Sequence, residues 1–398
     1  MSAPACVSCW PGLHPALLWP RRPPGEPPYP LCAPDRGAFH AARAGIYHLA
    51  RALARADGDH VLMPDYHSGA EVWAIRAAGL GVRYYHINRR MEPDLEEIRA
   101  LCEARPIALY LIHYLGWPQP VREAAALCRE RGMALIEDCA LSFLSRLDGR
   151  PLGSFGDYAV FCLYKTLPVP NGGIVVRNDT AVAEFLWPLC RPLDSISLGG
   201  RMLELLLIWA AGRAPVAGGA ALKAKRGAGR LLTRAGIDRI PVGDINPDFS
   251  TAGFAPEALE IGMSRAAARL LAGFDYAAIV AARRRNYRIL LNALAGRGLS
   301  LREDLPEGVC PLFFPILVED KPATARALRQ YGIEAVEFWD YGYPEARDRE
   351  GPDARFLRRH LLEIPIHQEV RTEQVEFMAD QLRALKPRPA AGRDRRPG

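Results

Sequence analysis

The chain has no long apolar run. The longest, Met202–Gly212 (MLELLLIWAAG), carries Glu204 and falls well short of the roughly 20 apolar residues that cross a bilayer. No transmembrane segment is therefore expected. The run reads as a buried or subunit-contacting helix, with a membrane-surface helix, aided by the basic stretch after it, as the sharper alternative. No Lys/Arg-rich start precedes an apolar core, so no secretory leader is expected. There is no internal repeat. Cys6 and Cys9 form a CxxC without a second pair, whereas structural zinc takes four ligands, so no metal is expected. The cysteines number nine, an odd count, and several sit in apolar runs (Cys102, Cys128, Cys139, Cys162). That suits reduced thiols in a cytoplasmic protein better than a disulfide framework. A broad basic face is missing too. The net charge is +6, but residues 223–234 carry five basic groups and no acid, and residues 386–398 five basic groups and one acid. The rest is slightly acidic, and nucleic acid is not expected as a partner. The Pro-, Gly- and Arg-rich tail 386–398 is expected to be disordered.

What is present is ordinary globular composition, 49% hydrophobic and 24% charged in 398 residues. This is enough for one large α/β domain and a smaller one. Residues 1–38 are Pro-rich and irregular. Apolar strand-like runs then alternate with amphipathic stretches: helix 43–56, strand 60–63, helix 68–78, strand 82–87, helix 93–104, strand 107–114, helix 121–131 and strands 133–137, 158–163 and 173–176. Such alternation predicts a largely parallel sheet, with ligands bound at the carboxyl ends of its strands. Residues 180–250 are less regular. Residues 254–294 read as one long helix. A strand at PLFFPILV, a helix over 323–331, an aromatic turn around 338–343 and a final helix after His367 make a smaller α/β unit. The expected division is 1–38 irregular, 39–250 large domain, 251–385 long helix and small domain, and 386–398 tail.

The most informative stretch runs from Ile136 to Val176. Asp138 closes one apolar run, Lys165 closes another, and Gly172-Gly173 follows. A lone acid after a strand is ordinarily a loop carboxylate or helix cap. Its functional reading is a carboxylate that keeps the ring nitrogen of pyridoxal 5'-phosphate (PLP) protonated. A lone lysine is ordinarily solvated, but Lys165 is followed by Thr-Leu-Pro-Val-Pro, an apolar and rigid surround suited to an amine that attacks an aldehyde. Gly172-Gly173 permits a tight reversal. Ala44-Gly45-Ile46 opens the first helix of the sheet domain, where backbone N–H groups can take a phosphate. Tyr66 and His67 follow a strand end and could supply a ring to stack on the cofactor.

In this order the pieces resemble the DegT/StrS-type PLP-dependent sugar aminotransferases of fold type I. The matching segments are Ala44-Gly45-Ile46, Pro64-Asp65-Tyr66-His67, Ile112-His113-Tyr114-Leu115-Gly116 and Glu137-Asp138-Cys139-Ala140-Leu141. Gly153-Ser154-Phe155-Gly156-Asp157, Lys165 ahead of Gly172-Gly173, Met263-Ser264 and Ile364-Pro365-Ile366-His367 complete the set. The chain departs from the family in three places. Leu141 stands where the family has Gln, Cys162 is nearest to the Ser that precedes the family's lysine, and no Asn precedes Met263-Ser264. The resemblance implies a mostly parallel seven-stranded sheet with helices on both faces and a smaller C-terminal α/β domain. It also implies Lys165 and Asp138 as catalytic and cofactor-binding groups, further cofactor contacts from Ala44, Gly45, Ile46, Tyr66, His67 and Cys162, and a homodimer. The implied reaction moves an amino group from an amino-acid donor such as glutamate to a keto acceptor such as a nucleotide-linked keto sugar. The departures keep two alternatives open: a PLP-fold binding or scaffold protein with degraded catalysis, and a PLP decarboxylase or lyase.

Overall fold

The computed structural model describes residues 6–19, 25–179, 187–188, 190–191, 195–234, 256–337, 339–340 and 349–390. Its centre is a seven-stranded sheet. The strands are β1 (Arg36–Phe39), β2 (His60–Pro64), β3 (Gly81–Tyr85), β4 (Ala108–Ile112), β5 (Ala134–Asp138), β8 (Tyr158–Cys162) and β9 (Gly173–Arg177). Their order is β1-β9-β8-β5-β4-β2-β3. All neighbours run parallel except β9, which is antiparallel to both β8 and β1. The central strands β4, β5 and β8 are buried along their whole length, and the edge strands β1 and β3 alternate with solvent. This explains why the former read as continuous apolar runs. The arm β6–β7 (Arg146–Leu147, Arg150–Pro151) is a small hairpin beside the sheet.

The connecting helices are α1 (Ala42–Leu53), α2 (Ala70–Ala77), α3 (Leu95–Leu101) and α4 (Val121–Arg131). Because β3 and β4 lie on opposite sides of β2, the right-handed rule for parallel crossovers puts α2 on one face and α3 and α4 on the other. Local chemistry fixes their ends. Asp94 caps α3 by accepting from the N–H groups of Glu96 and Glu97, and Gly132, at φ 65°, stops α4. The sheet domain thus follows the alternation seen in the sequence, with ends shifted by a few residues. One strand escaped it: β1 lies at the end of the segment expected to be irregular.

Between β9 and the small domain, the stretch expected to be less regular instead forms a helical hairpin, α5 (Ser195–Arg213) and α6 (Pro215–Arg234). At Gly218 an added Cβ would lie 2.5 Å from the Ala211 nitrogen, so glycine lets the two helices touch. Glu204 is the hub of the pair. It binds Lys225 at 2.7 Å, Arg201 at 3.3 Å and Arg226 at 3.4 Å. Burial pushes its carboxyl up, but these cations together bring it below the usual range. Residues 235–250 lie outside the described residues. No helix among the described residues is long and apolar enough to cross a membrane.

The single long helix expected over 254–294 is broken in two, α7 (Arg265–Leu271) and α8 (Tyr276–Ala293). Ser264 caps α7 through the Ala267 N–H, and Asp275 caps α8 through the Ala278 N–H. The remainder comprises the antiparallel pair β10 (Phe313–Leu317) and β11 (Leu361–Pro365), with α9 (Lys321–Gln330), α10 (Pro352–His360) and α11 (Thr372–Leu385). Of the aromatic turn expected over 338–343, only Trp339 and Asp340 are described. The tail expected to be disordered begins in order: Glu319 donates its N–H to the Arg388 carbonyl, and Ala390 donates to Leu317. Residues 391–398 lie outside the described residues. All nine cysteines are unpaired.

Candidate active site

Three adjacent parallel strands end at one cavity. Ile112 closes β4, Asp138 closes β5 and Cys162 closes β8, and all three line it. The turn after β8 adds Tyr164 and Lys165, and the turn after β5 adds Ala140 and Leu141. The starts of α1 (Ala42, Arg43, Ile46) and α2 (Ser68, Ala70, Glu71) form one side, and Trp10 and Trp339 another. The space between them is about 760 Å³, part of it open to solvent.

Asp138 is buried and braced. One carboxylate oxygen accepts the Ala140 N–H at 2.8 Å and the other the Tyr110 hydroxyl at 2.8 Å. Burial raises its pKa, and the Ala140 N–H and the charge of Lys165 oppose that rise. Each oxygen keeps a lone pair. Glu71 lies close by. It accepts the Ser68 N–H at 2.8 Å and also bonds the Ser68 hydroxyl. Burial, then the charge of Asp138, raises its pKa. Of the two carboxyls, Asp138 has the charge of Lys165 on its side and Glu71 has the like charge of Asp138.

Lys165 sits in a short 3-10 turn whose exit is pinned from below. The Arg283 guanidinium, fully buried, donates to the Thr166 carbonyl at 3.0 Å, to Leu312 at 2.9 Å, to Pro311 at 3.3 Å and to the Gln368 side chain at 3.1 Å. Gln368 donates a second bond to the Thr166 carbonyl at 3.1 Å. Farther along the loop, Ser264 donates from both N–H and hydroxyl to the Asn171 side chain at 3.1 Å. The Met263-Ser264 segment thereby holds the turn that leads into Gly172-Gly173. Gly172 adopts φ 146°, and at Gly173 an added Cβ would lie 2.3 Å from the Ala41 carbonyl carbon. Gly173 therefore lets the start of α1 rest on β9.

That start of α1 is bare. Its cap residue, Ala41, has no side-chain hydrogen bond to offer, so the first N–H groups of the helix lack an acceptor within it. Arg43 lines the cavity at this point, and no hydrogen bond or ion pair holds it among the described residues. Helix N–H groups and a guanidinium together suit a phosphate.

The sequence-based set is divided by the structure. Asp138, Lys165, Cys162 and Ile46 meet at the cavity; Ala44, Gly45, Tyr66 and His67 are not among its lining residues. Gly45 faces the sheet instead, where an added Cβ would meet the Val175 side chain at 2.4 Å and Phe39 at 2.9 Å. The phosphate-binding role expected of Ala44 and Gly45 thus fits Ala42 and Arg43 better. Tyr66 is turned toward the small domain, its ring 4.9 Å from that of Trp339 and 5.2 Å from the Arg358 guanidinium. His67 stacks on Tyr84 at 5.5 Å and is fully buried. Trp10, Tyr164 and Trp339 bring the aromatic rings to the cavity. Trp10 has no signal in its Pro-rich surroundings. Arg43 was one residue from the expected Ala44.

His113, which follows the end of β4, is buried in a separate network. Its Nδ1 accepts the Gln119 N–H at 3.0 Å, so Nε2 carries the proton that it donates to Glu137 at 2.9 Å. Glu137 also accepts the N–H groups of Gly153, Phe155 and Gly156 at 2.9, 2.6 and 2.6 Å. The Gly-Ser-x-Gly-Asp turn is thereby folded onto one carboxylate. His113, Glu137 and Cys139 lie close enough together to ligate a metal, but the ring nitrogens and carboxylate oxygens are already engaged in these bonds.

Residues 38–192 match the model of the DegT/DnrJ/EryC1/StrS aminotransferase family. Among curated relatives, a dTDP-4-dehydro-2,3,6-trideoxy-D-glucose 4-aminotransferase of Saccharopolyspora spinosa is 30% identical over 154 residues, 38% of this chain and 40% of the relative. A GDP-perosamine synthase of Escherichia coli O157:H7 is 32% identical over 136 residues, 33% of this chain and 37% of the relative. The similarity thus spans well under half the length of these relatives. Helicobacter pylori PseC, an aminotransferase involved in the biosynthesis of pseudoaminic acid, matches with TM-score 0.64 at 15% identity, covering 96% of this chain and 98% of its own. DesV of S. venezuelae matches with TM-score 0.61 at 18% identity, covering 90% and 87%. These structures establish the fold, fold type I, as the sequence resemblance implied.

Proposed function

We propose that the chain is a PLP-dependent aminotransferase whose catalytic groups are Lys165 and Asp138. The observation that carries this reading is their meeting, from the ends of separate strands, in one cavity that also holds the uncapped start of α1. The donor set fits the cofactor: an amine, a buried carboxylate with lone pairs to spare, and N–H groups with a guanidinium for a phosphate. Ala42 and Arg43 would hold the phosphate, Asp138 the ring nitrogen and Lys165 the aldehyde carbon. When bound, PLP supplies a ring that draws electron density from the substrate's α-carbon. Lys165 takes the proton from that carbon as a base and returns it as an acid. Asp138 holds the ring nitrogen's proton in place. Tyr110 and the Ala140 N–H keep the carboxylate aimed, while Arg283 and Gln368 keep the Lys165 turn in register. The apolar walls Ile112, Leu141 and Trp339 exclude water.

The donor in this proposal is an amino acid, with glutamate the first choice. The acceptor is a nucleotide-linked keto sugar, as the names of the relatives suggest. A homodimer in the cytoplasm, and a division into a large domain at 39–250 and a small one at 251–385, are part of the same proposal. The test is direct. Purified chain mixed with PLP gains the long-wavelength absorbance of lysine-bound cofactor, and L-glutamate then converts the spectrum to that of pyridoxamine phosphate. Lys165→Ala abolishes both changes. A chain that takes up no PLP sinks the proposal. Leu141, an apolar wall residue where the resemblance calls for Gln, favours a second reading, a binding protein with degraded catalysis. Uptake of PLP without conversion by any amino acid would select it, and release of carbon dioxide or an eliminated product would select a decarboxylase or lyase.

A further inference from the structure

The N-terminal segment is built into the cavity. Val7 donates its N–H to the Gly332 carbonyl and accepts from Glu334, both at 2.9 Å. The Ser8 hydroxyl donates to the Glu334 carboxylate at 3.1 Å, and the Ser8 carbonyl accepts from His367 Nε2 at 3.0 Å. On its other side Leu13 donates to the Leu205 carbonyl at 2.9 Å, and an added Cβ at Gly12 would lie 2.2 Å from the Trp209 nitrogen. Residues 7–13 are thus strapped between the small domain and the α5–α6 hairpin. Trp10, at the middle of this strap, lines the cavity that holds Asp138 and Lys165. Its ring packs edge-on against Phe313 with centroids 5.2 Å apart. It keeps 9% of its surface exposed, while Leu13 beside it is sealed at 0%.

We propose that Trp10 is a specificity-determining residue: the ring of a cyclic, sugar-like acceptor lies against its indole. The proposal rests on reading the cavity as an aminotransferase site. The part of a flat, polarisable indole that faces the cavity suits the C–H face of a pyranose. It offers little to the extended chain of a free keto acid, whose carboxylates need cations. The cations and carboxylates of the cavity are on the strand-end and helix-start side, where the chemistry is placed. Trp10 and Trp339 make the aromatic side. Chemistry and selectivity are therefore borne by different segments, and the selective one is carried by this chain's own N-terminal strap.

The experiment uses the full chain, Trp10→Ala and Trp10→Phe. dTDP-glucose, GDP-mannose and UDP-N-acetylglucosamine are titrated as non-reacting probes by calorimetry, alongside PLP uptake and half-reaction with L-glutamate. The expected result is that Trp10→Ala takes up PLP and reacts with glutamate within about twofold of the parent but binds at least one probe about tenfold more weakly, a loss typical of removing an aromatic anchor. Trp10→Phe is expected to restore most of that binding. Unchanged probe affinity in Trp10→Ala overturns the inference, as does failure of the parent to bind any of the three. An equal loss of PLP uptake or glutamate reaction in Trp10→Ala also overturns it, because the residue would then be a structural prop. Calorimetry does not need the cofactor. A chain that takes up no PLP refutes the aminotransferase reading, and the probe titrations still decide the role of Trp10.

Discussion

Replacing Arg283 separates the cost of burying a charge from the value of the bonds it makes. The guanidinium is fully buried, and burial lowers its pKa from 12.5 to about 10. That drop corresponds to roughly 3 kcal/mol of penalty on the charged form. Against it stand the bonds to the carbonyls of Thr166, Pro311 and Leu312 and to Gln368. In Arg283→Met the Thr166 carbonyl keeps the Gln368 donor, so the carbonyls of Pro311 and Leu312 are the ones left exposed to loss, at about 1–3 kcal/mol each. Relief of the charge offsets much of this, and the net destabilisation is on the order of 1–2 kcal/mol. Arg283→Lys keeps a buried cation with fewer donors in a different geometry, so it is expected to be the less stable of the two variants. Both changes also alter one of the two donors that hold the exit of the Lys165 turn, and the affinity for PLP, read from the absorbance of the lysine-bound form, should fall several-fold. Urea unfolding ranks the variants. A Lys variant as stable as the parent, or more stable than the Met variant, refutes the reasoning.

Glu137→Gln is expected to cost about 3 kcal/mol, measured by urea unfolding, because the amide cannot accept all of the N–H groups of Gly153, Phe155 and Gly156 together with His113. Gly173→Ala places a methyl within 2.6 Å of the Ala41–Ala42 backbone. The first turn of α1 must then move off β9, and binding of inorganic phosphate or PLP should weaken while β9 still pairs; unchanged binding would show that the α1 start is not the anion site. His367 gives a pH dependence of definite sign. Burial pushes its pKa down to about 3, so the unfolded chain takes up this proton near the usual 6.5 and the folded chain does not. The stability it contributes is present above about pH 6.5 and is lost as pH falls toward 3. Asp65, pushed up to about 6 by burial, works in the opposite direction between about 6 and 3.8. The difference between parent and His367→Gln isolates the histidine: from pH 7 to 5 the parent should lose about 2 kcal/mol more unfolding free energy than the variant, and equal losses would sink the assignment.

The sheet was legible where residues are buried on both faces. β2, β4, β5 and β8 read as continuous apolar runs because helices and neighbouring strands cover them. β1 was not legible, since its four residues are held by pairing with β9, a partner far away in sequence. The α5–α6 hairpin was obscured by Gly218, Gly219, Gly227 and Gly229, which lower helix propensity; contacts such as the Glu204 cluster supply the order that composition does not. The break between α7 and α8 could have been read from Ser264 and Asp275, each positioned to cap a helix.

The same distinction runs through the site. Asp138 and Lys165 could be found because each closes a buried run, so strand geometry alone brings them to the sheet's carboxyl edge. The ring expected from Tyr66 or His67 could not be assigned correctly, because the direction of that loop is set by Arg358, which donates to the His67 carbonyl at 3.0 Å, and by Trp339. Trp10 was beyond reach for the same reason. Its position depends on Gly332, Glu334, His367 and Leu205 at once. The residues proposed for chemistry are therefore fixed by local strand ends, and those proposed for selectivity by long-range contacts. This makes the two separable by mutation: a change at Trp10 can alter which acceptor binds while leaving the strand ends, and hence the amine and carboxylate, in place.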